Sequence, residues 1–516
     1  MDSISYGTMP QPIMKTFETR SAISQIIAVN VNNIILMVNG MVAGYPTILI
    51  PSLSSDDGSG ITIEDSQISW IGSLSFVTAL IGCFVSGMVT HPIGRCRSIH
   101  ISSPLIFGSW LIFYFANKIW HIYIALCLLG ITCSIVESPI LSYKAEISQP
   151  HLRGMLSATS TLSVIIGVLL EFILGTIFNW RITALISSVF PLLAFIILFF
   201  IPESPHWLIM HNKIDRARRS LAWLRGWTTE QHVEEEFQLI LENCEEYSLS
   251  KSAETDTSSK WGKWVPSIQI YTRKSFLKPL CLVSFTFMLT NVTGLCTLQT
   301  YAVNIFATLN VPMDEYYLTV ILGVTEFIGC FISLFFVRYF GKRVMGCTSL
   351  FGVAVCNIIV GVYAYVIDVK YLNFAKDSYN GELNTYSWLP LFVLIAMAFI
   401  GHTGIRVLPW ILLAEIFSHE TRAMGCGVGS AVYYLMAFFA NKIFLWMISV
   451  LHLSGTYWFY ATVSIFGVVI MYLYLPETEG KDLQEIIHHF AGVSKLDNKL
   501  RKRNVDTKTR KTTTYC

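Results

Sequence analysis

Charge is scarce in this sequence: Asp, Glu, Lys and Arg make up 14% of its 516 residues, against 53% hydrophobic. Soluble domains carry about a quarter charged residues, so an ordinary solvated globule is excluded. No Gly-rich phosphate loop, metal-ligand cluster or nucleophile triad stands out, which argues against an enzyme and gives no place for a metal or cofactor. A large excess of one charge sign is also missing, and the net charge of +2 offers no argument for a nucleic-acid partner. The N-terminus lacks the basic stretch, short apolar core and cleavage site of a removable signal peptide. None of the 12 cysteines falls in a stretch read below as an outer loop, so a disulfide framework is not expected. Cys516 is the last residue and therefore no prenylation box.

What the chain does have is apolar residues in long blocks. A membrane-crossing helix needs about 20 mostly apolar residues. Such blocks lie near 22 to 50, 68 to 90, 99 to 116, 120 to 142, 155 to 178, 182 to 201, 276 to 306, 315 to 337, 344 to 367, 388 to 417, 424 to 448 and 456 to 475. Each must be helical, because hydrocarbon offers no water to satisfy backbone polar groups. Basic residues collect in alternate loops, among them Arg95, Arg97, Lys144, Arg153, Arg338, Lys342, Arg343 and Arg422, whereas the loop 51 to 67 is acidic. The positive-inside rule then puts both termini in the cytoplasm, and the expectation is a multi-pass plasma-membrane protein. Asn291-Val-Thr293 is a glycosylation match inside a spanning block and should stay unmodified.

Three motifs occur twice in the same order. HPIGRCR (91 to 97) is echoed by RYFGKR (338 to 343), YKAEISQPHLRG (143 to 154) by LLAEIFSHETRAMG (412 to 425), and PESPHWL (202 to 208) by PETEGKDL (476 to 483). Each copy follows the second, fourth or sixth block of its half, so the chain reads as a duplicated six-helix unit with parallel repeats. The fold expected is an all-α membrane protein of twelve transmembrane helices in two six-helix pseudo-repeats. Its divisions are an N-terminal half (1–201), a cytoplasmic helical linker (202–275), a C-terminal half (276–476) and a cytoplasmic tail (477–516). Within the linker, IDRARRSLAWLRG and HVEEEFQLILENCEEY have helical periodicity, and ETDTSSK reads as a flexible link. The tail is basic, with Arg501, Lys502, Arg503, Lys508, Arg510 and Lys511.

These motifs, together with LPWILLAEIF in and after the tenth block, resemble the sugar porters of the major facilitator superfamily over about residues 20 to 490. The segment SWIGSLSFVTALIGCFVSG looks most like the insect facilitated trehalose transporters. The resemblance implies alternating access: two bundles rock about a midplane site, and charged motifs at the cytoplasmic ends latch the closed state. Arg95, Glu146, Arg153 and Glu203 in one half and Lys342, Arg343, Glu415, Arg422 and Glu477 in the other are the expected gating residues. The acid that opens the family's turn motif is absent from both copies, where His91-Pro92 and Arg338-Tyr339 stand.

At the positions that line the family's cavity, this sequence carries Thr161, Thr290, Asn291, Cys296, Glu326, His402, Arg406, Trp410 and Tyr433, the expected substrate-binding set. Against the pattern that the resemblance implies, Glu326 stands in place of an Asn, His402 in place of a frequent Glu and Arg406 in place of a frequent Gly. Charges within apolar blocks usually face a cavity, a partner or a proton path, so Glu326 and Arg406 are expected to pair or to bind a polar solute jointly. Glu137 and Glu171 are two more intramembrane carboxylates. The acid that proton-linked members carry in the first block is absent from NGMVAGY, which favours uniport. The partners expected are a small sugar and the bilayer, and a monomer suffices. A same-fold carrier of another solute, charged or proton-coupled, and a non-transporting nutrient receptor are the alternatives.

Overall fold

The computed structural model describes residues 11–54, 61, 63–149, 152–242, 273–374, 386–417, 421–481, 483–492, 494 and 496–497. Among the described residues the regular structure is all helical. The first half comprises α1 (Gln11–Ser54), a short α2 (Asp65–Ile71) that leads into α3 (Leu74–Ile93), α4 (Arg95–Tyr114), α5 (Ile119–Ile147), α6 (Arg153–Ile177) and α7 (Trp180–Leu198). A linker follows with α8 (Pro205–Met210), α9 (Ile214–Leu224), a 3-10 turn Glu230–Val233 and a helix described over 234–242. The second half comprises α10 (Lys274–Val292), α11 (Leu295–Thr300), α12 (Ala302–Thr308), α13 (Glu315–Phe340), α14 (Lys342–Val366), α15 (Trp388–Thr403), α16 (Leu408–Glu415) and α17 (Arg422–Tyr474), and α18 (Leu483–Ala491) comes after it.

Ten described helices are long and apolar enough to cross a membrane. Two features take that number to twelve crossings. The 53-residue α17 is two helices joined at His452, whose φ of 60° breaks the run, so it supplies the eleventh and twelfth. The 20-residue α4 reaches about 30 Å, but Arg95, Arg97 and several serines dilute its apolar character.

The duplication seen in the motifs recurs in the packing. In the first half α1 lies on α6, α3 on α5, and α4 on α5 and α7; in the second, α10 lies on α17, α13 on α15, and α14 on α15 and α17. The halves meet where α6 touches α13 and α3 touches α17, two contacts that the repeat makes equivalent. Close approach of α1 and α6 depends on a reciprocal pair of glycines. A Cβ on Gly40 would strike the Val164 carbonyl, and one on Gly167 would strike that of Met37, the small-residue packing that lets membrane helices touch by their backbones. The matched turns between α3 and α4 and between α13 and α14 rest on Gly94 (φ 113°) and Gly341 (φ 80°), backbone angles that favour glycine.

The linker is docked on the first half. Arg225 forms a bidentate pair with Glu236 and donates from Nη1 to the Ile147 carbonyl at 3.3 Å, while Ser24 Oγ donates to Leu224 O at 2.7 Å. The expected flexible link (254–260), the basic tail beyond 500, and the loop acids Asp56 and Asp57 lie outside the described residues.

Candidate functional site

Two apolar blocks that read as continuous are broken in the middle. The first is interrupted between α10 and α11, where Gly294 has φ 87°, and the second between α15 and α16. A break in hydrocarbon strands backbone polar groups unless side chains satisfy them, and α14 supplies those side chains. Asn357 Nδ2 donates to Thr293 O at 3.1 Å, and Ser349 Oγ both donates to Ile400 O at 2.6 Å and accepts from Ile405 N at 3.0 Å. Thr290 Oγ1 lies 2.9 Å from Ile405 O and so ties one break to the other.

The breaks aim polar side chains at the centre. Glu326 sits on α13 eleven residues from its start, about 17 Å along the helix, near the middle of a bilayer about 30 Å thick. Arg406 does not meet it directly, because Gln299 stands between them. Arg406 Nη2 donates to Gln299 Oε1 at 2.8 Å, and Gln299 Nε2 donates to Glu326 Oε2 at 3.2 Å. The fixed donor and acceptor ends of one amide thus match a cation and a carboxylate. His402 Nε2 lies 3.9 Å from the same Glu326 oxygen, while its Nδ1 is 3.0 Å from Ala398 O. A carbonyl only accepts, so Nδ1 carries a proton and Nε2 faces the carboxylate. Both His402 Nε2 and Arg406 Nη1 are buried without a hydrogen-bond partner. The backbone carbonyl of Gln299 accepts from Thr47 Oγ1 of the other half at 2.6 Å.

Beside this network Trp410, Phe287 and Tyr433 form a triangle with ring centroids 5.0, 5.2 and 5.5 Å apart. Asn291 is fully buried, with Nδ2 on the Phe287 carbonyl and Oδ1 unpartnered. Cys296 accepts from Asn441 Nδ2 at 3.3 Å, and together with Thr290 it is engaged in holding helices. Thr161 is half-buried on α6, one turn before Ile165, which packs against Cys330 and Val407 of the second half.

Of the other intramembrane carboxylates, Glu171 is buried within the first half and accepts from Ser187 Oγ at 3.0 Å. Glu137 crosses between the halves: Tyr434 donates its hydroxyl to Glu137 Oε2 at 2.7 Å. Two polar groups of this region, Gln299 and Tyr434, are absent from the expected binding set. Gln299 lies one turn beyond the motif positions that were compared, although an amide in an apolar block was a usable signal. Tyr434, next to the expected Tyr433, carries no separate signal in the sequence.

The charged turns form two matching clusters, each within its own half. Glu203 accepts from the backbone N–H groups of Arg95 (2.9 Å), Cys96 (3.0 Å) and Arg97 (3.2 Å), and Arg95 pairs with Glu146 at 2.9 Å. Glu477 likewise accepts from the N–H groups of Lys342 and Arg343, both at 3.1 Å, and Lys342 pairs with Glu415 and Glu479. A carboxylate at a helix N-terminus complements the exposed amides and the helix dipole. Desolvation raises the Glu415 carboxyl above its ordinary value, and the Lys342 ammonium opposes that rise. Where the family's turn motif has its acid, the His91 carbonyl accepts from Trp207 Nε1 at 2.9 Å, so PESPHWL fastens the turn. The side chains of Arg153 and Arg422 lie outside the described residues.

A duplicated twelve-helix bundle with a polar midplane and paired charged turns is the architecture of a carrier. The family model of sugar (and other) transporters matches residues 21–490. The chain belongs to that family. Among its relatives, the facilitated trehalose transporter Tret1 of Polypedilum vanderplanki is 26% identical over 473 residues, which span 91% of this chain and 88% of that one. Two solved structures share the fold. The partially occluded, inward-open xylose transporter XylE from E. coli superposes with a TM-score of 0.68 at 18% identity, covering 89% of this chain and 100% of that one. The proton:xylose symporter XylE bound to 6-bromo-6-deoxy-D-glucose gives 0.68 at 18% identity, covering 91% and 99%. This member of the sugar transporter family is accordingly a multi-pass membrane protein and no enzyme.

Proposed function

We propose that this chain is a facilitative carrier of a sugar, trehalose or a hexose, working by alternating access in the plasma membrane with both termini in the cytoplasm. The observation that carries the reading is the pair of broken helices, which bring Gln299, Asn291, Arg406 and Trp410 to one midplane region beside the interface of the halves. Amide and guanidinium donors suit hydroxyl oxygens, and the Trp410–Tyr433 face suits the apolar side of a sugar ring. The Tret1 relative supports trehalose as the first candidate. The charged clusters at the cytoplasmic ends serve as the gate. Each is held rigid inside its own half, so rocking displaces one cluster against the other as a unit. Tracer uptake into vesicles, run with trehalose, glucose, sucrose and polyols, tests the reading: saturable flux of one sugar supports it, and silence across the panel contradicts it.

A second reading is favoured by a specific observation, the unpartnered Arg406 Nη1 and the facing Glu326 and His402. An anionic or proton-coupled solute would use those groups. Alkalinisation of the outer medium on adding substrate, lost in Glu326→Gln, is the result that would select it. Binding without flux would instead indicate a receptor.

A further inference from the structure

A cavity of about 670 Å³ opens at the charged-turn end of the first half, away from the midplane site, between α4, the end of α7 and the linker helix α9. Its polar wall holds Arg97, Arg216 and Arg219, and its one acid is Glu203. The Glu203 carboxylate is already committed, because its two oxygens accept the N–H groups of Arg95, Cys96 and Arg97. Arg219 has only a loose, exposed contact with Glu230 at 3.6 Å, and among the described residues neither Arg97 nor Arg216 has an acidic partner. With three arginines against one carboxylate, the lining carries a net positive charge. The lining also holds apolar Ile101, one turn from Arg97 on α4, and Phe199 after the end of α7, and these are 57% and 68% exposed. Among the described residues the second half has no counterpart to α9, which sets this cavity apart from the duplicated charged turns.

We propose that the cavity binds the phosphate headgroup of an anionic phospholipid of the cytoplasmic leaflet, with the acyl chains lying along Ile101 and Phe199. Guanidinium groups match phosphate oxygens in bidentate geometry, and basic pockets between spanning helices on the cytoplasmic side suit such headgroups. An apolar wall beside the arginines favours a lipid over a free phosphate. The proposal rests on the orientation given above and not on the solute carried, so its test leaves transport aside. The full chain in detergent is titrated with phosphatidylserine, phosphatidylcholine and inorganic phosphate, and retention is read by native mass spectrometry. The expected result is phosphatidylserine held at least tenfold more tightly than phosphatidylcholine, with the preference lost in the triple variant Arg97→Gln, Arg216→Gln, Arg219→Gln. Because those side chains are at the surface, the variant should fold; Phe199→Ser supplies an independent arm that weakens retention of the lipid and leaves inorganic phosphate unaffected. Equal retention of the two lipids, a preference unchanged in the triple variant, phosphatidylserine retention unchanged in Phe199→Ser, or inorganic phosphate bound as tightly as phosphatidylserine would overturn the proposal.

Discussion

The hydroxyl of Tyr434, on the eleventh crossing, donates to the carboxylate of Glu137, on the fourth, across the interface of the halves at 2.7 Å. Both groups are buried. Under the alternating access proposed above this interface slides, and the bond would then belong to one state of the cycle. Tyr434→Phe removes the donor and leaves a buried carboxylate short of a partner, a change of about 1–3 kcal/mol. Populations that differ by a few kcal/mol shift markedly under such a change. The expected outcome is a lower melting temperature in detergent together with an altered exchange rate; an unchanged value of both would remove Tyr434 from the account.

Gln299 is the second place to press. Gln299→Ala leaves Arg406 and Glu326 each without a charge-assisted hydrogen bond, worth about 1.5–3 kcal/mol apiece. Uptake should fall at least tenfold. Thr290→Val, which removes the tie between the broken helices and a bond to Thr286 O within α10, should act mainly on stability. If Gln299→Ala transports normally, the bridging amide has no part in the site.

The charged turns differ in depth, and that difference is testable. The Lys342 side chain is 2% exposed and meets two carboxylates, whereas Arg95 is 17% exposed and meets one. Lys342→Met should cost about 1–3 kcal/mol, below a fully buried pair because Glu415 and Glu479 keep access to water. Arg95→Met should cost about 1 kcal/mol or less. The pH dependence has a definite sign. A carboxyl whose folded-state pKa is raised adds stability at low pH that is lost as pH climbs through that value. Without Lys342 to oppose desolvation, the Glu415 carboxyl rises further, so the melting deficit of Lys342→Met should shrink on acidification. A deficit independent of pH would contradict this electrostatic origin.

Helix packing offers a check that is independent of charge. Gly167→Val would push side-chain atoms into the Met37 carbonyl and force α1 away from α6. Overpacking of this kind costs about 1–3 kcal/mol or more, and the variant should fail to remain monodisperse in mild detergent. Gly87→Ala, with open space around its added methyl, should be tolerated.

Much of the fold could be read directly because its signals are long or repeated. Twelve apolar runs give the crossings, and the matching of Gly94 with Gly341 and of Glu203 with Glu477 gives the duplication. The helix breaks were hidden, since hydropathy runs on unbroken through Gly294 and Gly404 and only the side chains of Asn357 and Ser349 reveal where the backbone is interrupted. The site was legible as a neighbourhood rather than as a set of bonds. Glu326 and Arg406 stand out as charges in hydrocarbon, but nothing in their spacing reveals that Gln299 separates them. Tyr433 and Tyr434 show the same limit. Adjacent residues point about 100° apart on a helix, and in α17, apolar on every face, the sequence does not say which of them turns to Glu137.

The most direct test of the central claim is counterflow in proteoliposomes loaded with unlabelled sugar and exposed to the same sugar as tracer. A facilitative alternating-access carrier predicts that the internal sugar accelerates tracer entry, at a rate that does not change with an imposed proton gradient and without alkalinisation outside. Absence of counterflow for every sugar of the panel, or entry that depends on the proton gradient, would contradict it.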